Sequence, residues 1–201
     1  MVSEFAGKIA AAESKEATVD RREMEQIERA CAGDAGAVDW LVSRYRVRVV
    51  RLAAHVLGDA EEAKDAAQDA FIHAFRSLGG YRNEGRFYTW LYSIVVRVCL
   101  DRRRLAWWRR ERPLETPDDG FAASGGEIAD VELLIVAKSL MAQLSPPMRA
   151  MLVLRELEGL EYEEIAQVLR IPVGRVRWRL HAARAQFQEL WQRAVEETES
   201  V

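Results

Sequence analysis

Between residues 35 and 57 the apolar positions Val38, Leu41, Val42, Tyr45, Val49, Leu52, Ala53 and Val56 recur in steps of three and four. That spacing predicts one amphipathic helix, with Arg44, Arg48 and Arg51 on its other side. Gly58 is expected to end it and Asp59 to cap the next. The helix over 60–77 turns Ala63, Ala67, Ala70, Phe71 and Ala74 or Phe75 inward. Its wet face carries Glu61, Glu62, Asp65, Gln68 and Asp69, which ordinary solvation accounts for as readily as a partner does. In the segment 81–104, Phe87, Trp90, Leu91, Ile94 and Val98 form a helical stripe read as core before recognition. Tyr88 and Tyr92 are four apart on a different side and are expected to be exposed.

The second half repeats the helical pattern. Residues 131–143 and 147–158 read as amphipathic helices broken at Ser145-Pro146-Pro147, and Tyr162 to Leu169 as a short helix with Ile165, Ala166 and Leu169 inward. Arg170 to Gly174 is expected to be a tight turn containing Pro172 and Gly174, with a longer helix from about Val173. Two helices joined by a short glycine-containing turn are the helix-turn-helix signature. At 100° per residue, Val176, Leu180, Ala183 and Phe187 share the buried side of the last helix. Arg175, Trp178, His181 and Ala182 point the opposite way, flanked by Arg177, Arg179 and Arg184.

The stretch P-L-E-T-P-D-D-G-F-A-A-S-G-G-E has the prolines, glycines and polar turn formers of a linker. The predicted organisation is all-α, two small helical domains joined by an acidic flexible linker, the C-terminal one a helix-turn-helix. The boundaries are an N-terminal extension over 1–24, a first domain over 25–112, a linker over 113–130, a second domain over 131–195 and an acidic tail over 196–201.

Charge sharpens this picture. The net charge is only −3, but it is segmented. Residues 59–69 hold five acids and one lysine, and 97–112 hold seven arginines against Asp101 and Glu111. Residues 113–135 hold six acids and no base, and 170–184 hold five arginines and no acid. Two basic islands either side of an acidic connector suggest two polyanion-binding surfaces on separate bodies. The helix-turn-helix supplies one, with arginines on phosphates and outward side chains at base edges. Tyr88 and Tyr92 beside Arg82, Arg86 and Arg97 have the composition of a single-strand surface, π-faces for bases and guanidinium groups for phosphates.

Composition removes other classes. Hydrophobic residues at 49% and charged residues at 30% describe an ordered, helix-rich chain. No apolar run approaches the roughly 20 residues of a membrane span, and the charged N-terminus lacks the core of a signal peptide, so cytoplasmic residence without membrane insertion is expected. Cys31 and Cys99 lie far apart and read as small hydrophobes, a redox pair being the alternative. His55, His73 and His181 form no metal-ligand motif, and no nucleophile arrangement or phosphate loop is present. No metal, cofactor or catalytic residue is expected.

In order along the chain stand L-V-S-R-Y-R-V-R-V-V-R-L-A (41–53), G-D-A-E-E-A-K-D-A-A-Q-D-A-F (58–71), F-Y-T-W-L-Y-S-I (87–94) with D-R-R-R (101–104), L-S-P-P-M-R-A (144–150), E-G-L-E-Y-E-E-I-A (158–166) and V-G-R-V-R-W-R-L-H-A-A-R (173–184). Together these resemble the extracytoplasmic-function sigma factors of bacterial RNA polymerase, over about 29–193. The resemblance implies a non-enzymatic initiation factor that binds core polymerase through its clamp helices and flap, acts on promoter DNA, and is held by an anti-sigma factor until a signal arrives. It assigns core binding to Glu61, Glu62, Asp65, Gln68 and Asp69. It assigns recognition and opening of the −10 element to Tyr81, Asn83, Tyr88, Tyr92, Arg97, Arg102 and Arg103. The −35 element falls to Arg175, Arg177, Trp178, Arg179, His181, Ala182 and Arg184. The linker would mimic nucleic acid near the polymerase active site. Departures from the family pattern at Arg175, Trp178, Ala182 and Arg97 imply altered base preferences. A dimeric helix-turn-helix regulator is the alternative, and it leaves 81–104 and the linker without a role; a cryptic enzyme built on His55, His73 and an acid is the other.

Overall fold

The computed structural model describes residues 21–82, 86–109 and 128–199, with side chains outside 104–109, 128–134 and 197–199. Eight α-helices occur among the described residues, and no strand: α1 (21–31), α2 (Ala35–Leu57), α3 (Ala60–Ser77), α4 (Phe87–Arg109), α5 (Ile128–Gln143), α6 (Pro146–Leu152), α7 (Tyr162–Leu169) and α8 (Val173–Glu199). A 3-10 turn over Leu78–Gly80 follows α3, and a π-helical turn over Val153–Leu157 follows α6.

Local chemistry fixes the first elements where the sequence places them. Asp34 caps α2, its Oδ1 accepting from the amides of Gly36 at 2.8 Å and Ala37 at 3.2 Å. Gly58 ends the helix at φ 74, a left-handed conformation that glycine adopts without steric cost. Asp59 then caps α3 by accepting from the Glu62 amide at 2.8 Å. The buried face of α3 is made of small side chains, Ala63, Ala66, Ala67, Ala70 and Ala74, which let α2 and α4 approach closely. Phe71 and Phe75 are only half-buried.

Helix α4 departs from its predicted stripe. Phe87 and Leu91 are buried as expected, but so are Tyr92, Val95, Val96 and Cys99. The reason is that α4 is covered twice, by α2 and α3 on one side and by α6 and α7 on the other. A helix covered all round loses the one-sided pattern of a surface helix. The expectation that Tyr92 is an exposed aromatic is therefore wrong here: it is 2% exposed.

The second domain also differs in detail. Helix α5 starts at Ile128, inside the segment predicted as linker, and α8 runs to Glu199, past the boundary drawn at 195. Helix α1 likewise begins inside the predicted extension, at residue 21. The turn between α7 and α8 is made by Arg170 at φ 53, not by Gly174, which lies in the first turn of α8. The rest of the extension and the linker from 113 to 127 fall outside the described residues. One continuous cluster of buried side chains runs from Leu41 and Val49 through Leu91 and Tyr92 to Leu154, Ile165 and Leu180, so the two sequence domains share a core.

Candidate promoter and polymerase interfaces

Helix α8 has the two-sided build of a recognition helix. Val176, Leu180 and Ala183 are buried, and α8 packs on α6 and α7, leaving the opposite face to solvent. Arg175, Arg177, Trp178, His181 and Arg184 are exposed, while Arg179 and Ala182 are half-buried. Trp178 is 69% exposed, so its indole contributes almost nothing to the core. Arg184 is already engaged: Nε and Nη2 donate to Glu156 Oε1 at 2.9 and 2.6 Å. That carboxylate raises the pKa of the guanidinium. Phe187 is half-buried and leans on Trp191, ring centres 6.2 Å apart.

The acidic face of α3 is present as expected. Glu61, Asp65 and Gln68 are exposed, and Glu62 and Asp69 half-buried, on the side opposite the alanine row. Glu61 pairs with Lys64 on the same helix. Asp69 pairs with Arg102 of α4, which ties an expected polymerase contact to an expected DNA contact.

The −10 candidates are not brought together on one open surface. Tyr81 is half-buried against Phe87 and Trp90, with ring centres 5.5 and 5.4 Å away. Tyr88 is half-buried, with the Arg86 guanidinium 5.8 Å from its ring centre. Arg97 is exposed. Arg103 is half-buried and turned back to the end of α2, its Nη2 3.4 Å from where a Cβ on Gly58 would lie. Asn83 lies outside the described residues. Burial, the largest cause in each case, raises the pKa of Tyr81, Tyr88 and Tyr92, so all three phenols remain hydrogen-bond donors at neutral pH.

Sequence reasoning missed the residues that join the two domains. The Tyr92 hydroxyl donates to Glu158 Oε2 at 2.7 Å, and Arg51 Nη2 donates to Glu158 Oε1 at 3.3 Å. The Tyr88 hydroxyl donates to Glu164 Oε1 at 2.5 Å, while the other oxygen of Glu164 caps α7 by accepting from the Glu161 amide at 3.0 Å. Arg149, 2% exposed, donates through Nη1 to the carbonyls of Val56 and Leu57 at the end of α2. Its Nε and Nη2 reach the carbonyls of Met141, Ala142 and Leu144 at the end of α5. A guanidinium thus sits between two helix C-termini, where partial negative charge favours it. Burial still lowers its pKa to about 10. Glu158 and Glu164 stood in the motif over 158–166 and Arg149 in that over 144–150, but nothing local said that their partners lay in the other domain.

Family models for sigma-70 region 2 and sigma-70 region 4 match residues 41–109 and 136–187. These ranges cover most of α2, all of α3 and α4, and most of the helix-turn-helix domain. The RNA polymerase sigma-H factor of Pseudomonas aeruginosa is 35% identical over 175 residues, 81% of this chain and 90% of that protein. The chain belongs to the extracytoplasmic-function sigma factors. A second relative, the ECF RNA polymerase sigma-E factor of Escherichia coli K12, is 36% identical over 79% of this chain and 88% of its own length. Among solved structures, CnrH in complex with the cytosolic domain of CnrY is matched with a TM-score of 0.63 and 26% identity, over 86% of this chain and 97% of that one. The sigma factor RpoE of Bartonella quintana, solved with the anti-sigma factor NepR, shares the fold at a TM-score of 0.65 and 18% identity, over 77% and 96% of the two chains. As a sigma factor the protein binds core RNA polymerase and directs promoter-specific initiation at −35 and −10 elements. Among the described residues no helix is long and apolar enough to cross a membrane, and no cluster of metal-ligating side chains occurs.

Proposed function

We propose that this sigma factor reads the −35 element with the exposed face of α8. Arg175, Trp178, His181 and Ala182 face the base edges, and Arg177 and Arg179 face the flanking phosphates. The observation that carries this reading is Trp178, a large aromatic left 69% exposed beside the exposed Arg175 and Arg177 on a helix whose other face is buried. Arg184 joins the phosphate contacts after exchanging Glu156 for the backbone. Glu61, Glu62, Asp65, Gln68 and Asp69 meet the clamp helices of core polymerase, and the second domain meets its flap. Tyr81, Asn83, Tyr88, Tyr92, Arg97, Arg102 and Arg103 act at the −10 element, where a base taken out of the stack needs a π-face and its strand needs cations. The factor performs no chemistry of its own and needs no cofactor.

An anti-sigma factor controls it in this reading. The support is that the matched sigma factor RpoE of Bartonella quintana was solved with the anti-sigma factor NepR. The −35 assignment is tested by transcription with Arg177→Ala. Activity on promoters carrying the −35 element falls in this reading, and equal activity with and without that element contradicts it.

A further inference from the structure

Helix α1 sends one carboxylate into the aromatic cluster of the first domain. Glu23 is half-buried, and its Oε1 accepts from two neighbours on α2, Arg44 Nε at 2.9 Å and the Tyr45 hydroxyl. The guanidinium carbons of Arg22 and Arg44 stand 5.7 and 5.4 Å from the ring centre of Trp40, which straps α1 to α2 beside that contact. Glu23 and Arg22 lie outside residues 41–109, which match the region 2 model. Burial first, and Glu23 second, raises the pKa of Tyr45, so its phenol is a donor at neutral pH.

Tyr45 is the root of a chain of rings. It is buried, with its ring centre 5.4 Å from that of Phe87, also buried. Phe87 lies edge-on to Tyr81 at 5.5 Å and tilted to Trp90 at 5.4 Å. Tyr81 and Trp90 meet at 5.4 Å. Tilted and edge-on pairs at such distances are the ones the ring quadrupoles favour. Close packing passes a displacement of one ring to the next. Glu23 also reaches the far end of the chain through space: burial raises the pKa of Tyr81, and the Glu23 carboxylate adds to the rise. Without Glu23 the buried Tyr45 hydroxyl loses its acceptor, which is costly, and the ring has to shift towards water. Phe87 and Tyr81 follow it. Recognition sites hold their contact groups to within about 0.5 Å through supporting hydrogen bonds of this kind.

We infer that Glu23 is a positioning residue for the −10 element: by holding the Tyr45 hydroxyl it fixes Phe87 and the place of Tyr81, so that α1 sets base discrimination there without touching DNA. This rests on the assignment of Tyr81 to the −10 element. Arg44 shares the same carboxylate oxygen and keeps it turned towards Tyr45.

The test is transcription by holoenzyme carrying the full chain, on promoter libraries varied separately at the −10 and −35 elements. Glu23→Ala is expected to lower −10 discrimination about tenfold, within the range of one lost base–aromatic contact. Discrimination at −35 and affinity for core polymerase stay as in the wild type. Glu23→Gln keeps an oxygen for the Tyr45 hydroxyl and restores −10 discrimination. Tyr45→Phe removes the hydroxyl that needs an acceptor, so Glu23→Ala combined with Tyr45→Phe is also restored, a rescue that general loss of stability does not give. Full −10 discrimination in Glu23→Ala, equal losses at both elements, or no rescue by either route overturns the inference. Tyr81→Ala reads the underlying assignment. If it keeps −10 discrimination, the assignment fails and the inference with it; if it loses discrimination while Glu23→Ala keeps it, the inference alone fails.

Discussion

Arg102 donates to Asp69 across the junction of α4 and α3, so a residue expected to hold DNA is paired with one expected to hold polymerase. The pair is partly exposed and worth about 0.2–1 kcal/mol, too little to define the fold. Its consequence is for the design of substitutions. Asp69→Arg would set two guanidinium groups together and disturb α4 as well as the acidic face.

Asp65 is the cleaner probe of that face, since it is exposed on the same side of α3. Asp65→Arg is expected to weaken association with core polymerase at least tenfold. The thermal unfolding midpoint should move little, as for most exposed substitutions. Co-purification with core and a melting curve of the free protein measure the two effects. Undiminished association would contradict the assigned face.

Arg149 tests the junction between the domains. Arg149→Ala removes a buried guanidinium from five carbonyl oxygens at two helix ends. An unmet buried acceptor costs about 1–3 kcal/mol before water re-enters, so a loss of roughly 2–4 kcal/mol is expected. Arg149→Lys should recover little of it, because one ammonium cannot reproduce the planar fork. Urea unfolding of the three proteins measures this, and stability within about 0.5 kcal/mol of wild type would contradict the role.

A pH response follows from His55, which is half-buried on α2. Burial lowers its pKa; Arg51 and Lys138 push the same way, and Glu158 opposes them. In the unfolded chain it titrates near its ordinary value of about 6.5. The unfolded state therefore binds the proton first, and His55 lowers stability as pH falls below about 6.5. Denaturant midpoints between pH 7.5 and 5.5 should decline in the wild type and decline less in His55→Gln. Equal slopes would contradict the assignment.

Trp178 separates specificity from folding. At 69% exposure, Trp178→Ala should leave the melting midpoint unchanged while altering base preference at the −35 element, with about 1–3 kcal/mol of discrimination lost at one position. Arg177→Ala should instead weaken binding across sequences and lower the salt slope by about one. Binding to a library of −35 variants at several salt concentrations distinguishes the two patterns, and identical patterns would contradict the split.

The helices of the first domain were legible because their signals are local. Gly58 and Asp59 mark the α2–α3 junction by conformation and capping, and the arginines and alanines keep a clean period. The helix-turn-helix was legible from spacing alone, although Arg170 rather than Gly174 makes its turn. What the sequence did not show is long-range. Tyr92 reads as exposed because it lies off the stripe Phe87, Trp90, Leu91, Ile94 and Val98, and nothing local gives Glu158 or Glu164 a partner. Their partners are 66 and 76 residues away, and no periodicity reports a contact of that kind.

This chain lets core polymerase begin transcription at promoters with two separate elements. The most direct measurement is run-off transcription by purified cognate core on a pooled promoter library, with and without the protein. Protein-dependent transcripts sharing two upstream motifs at a fixed spacing are the predicted result. No protein-dependent transcript, together with binding of the protein alone to symmetric duplex sites, would contradict the claim and favour a simple helix-turn-helix regulator.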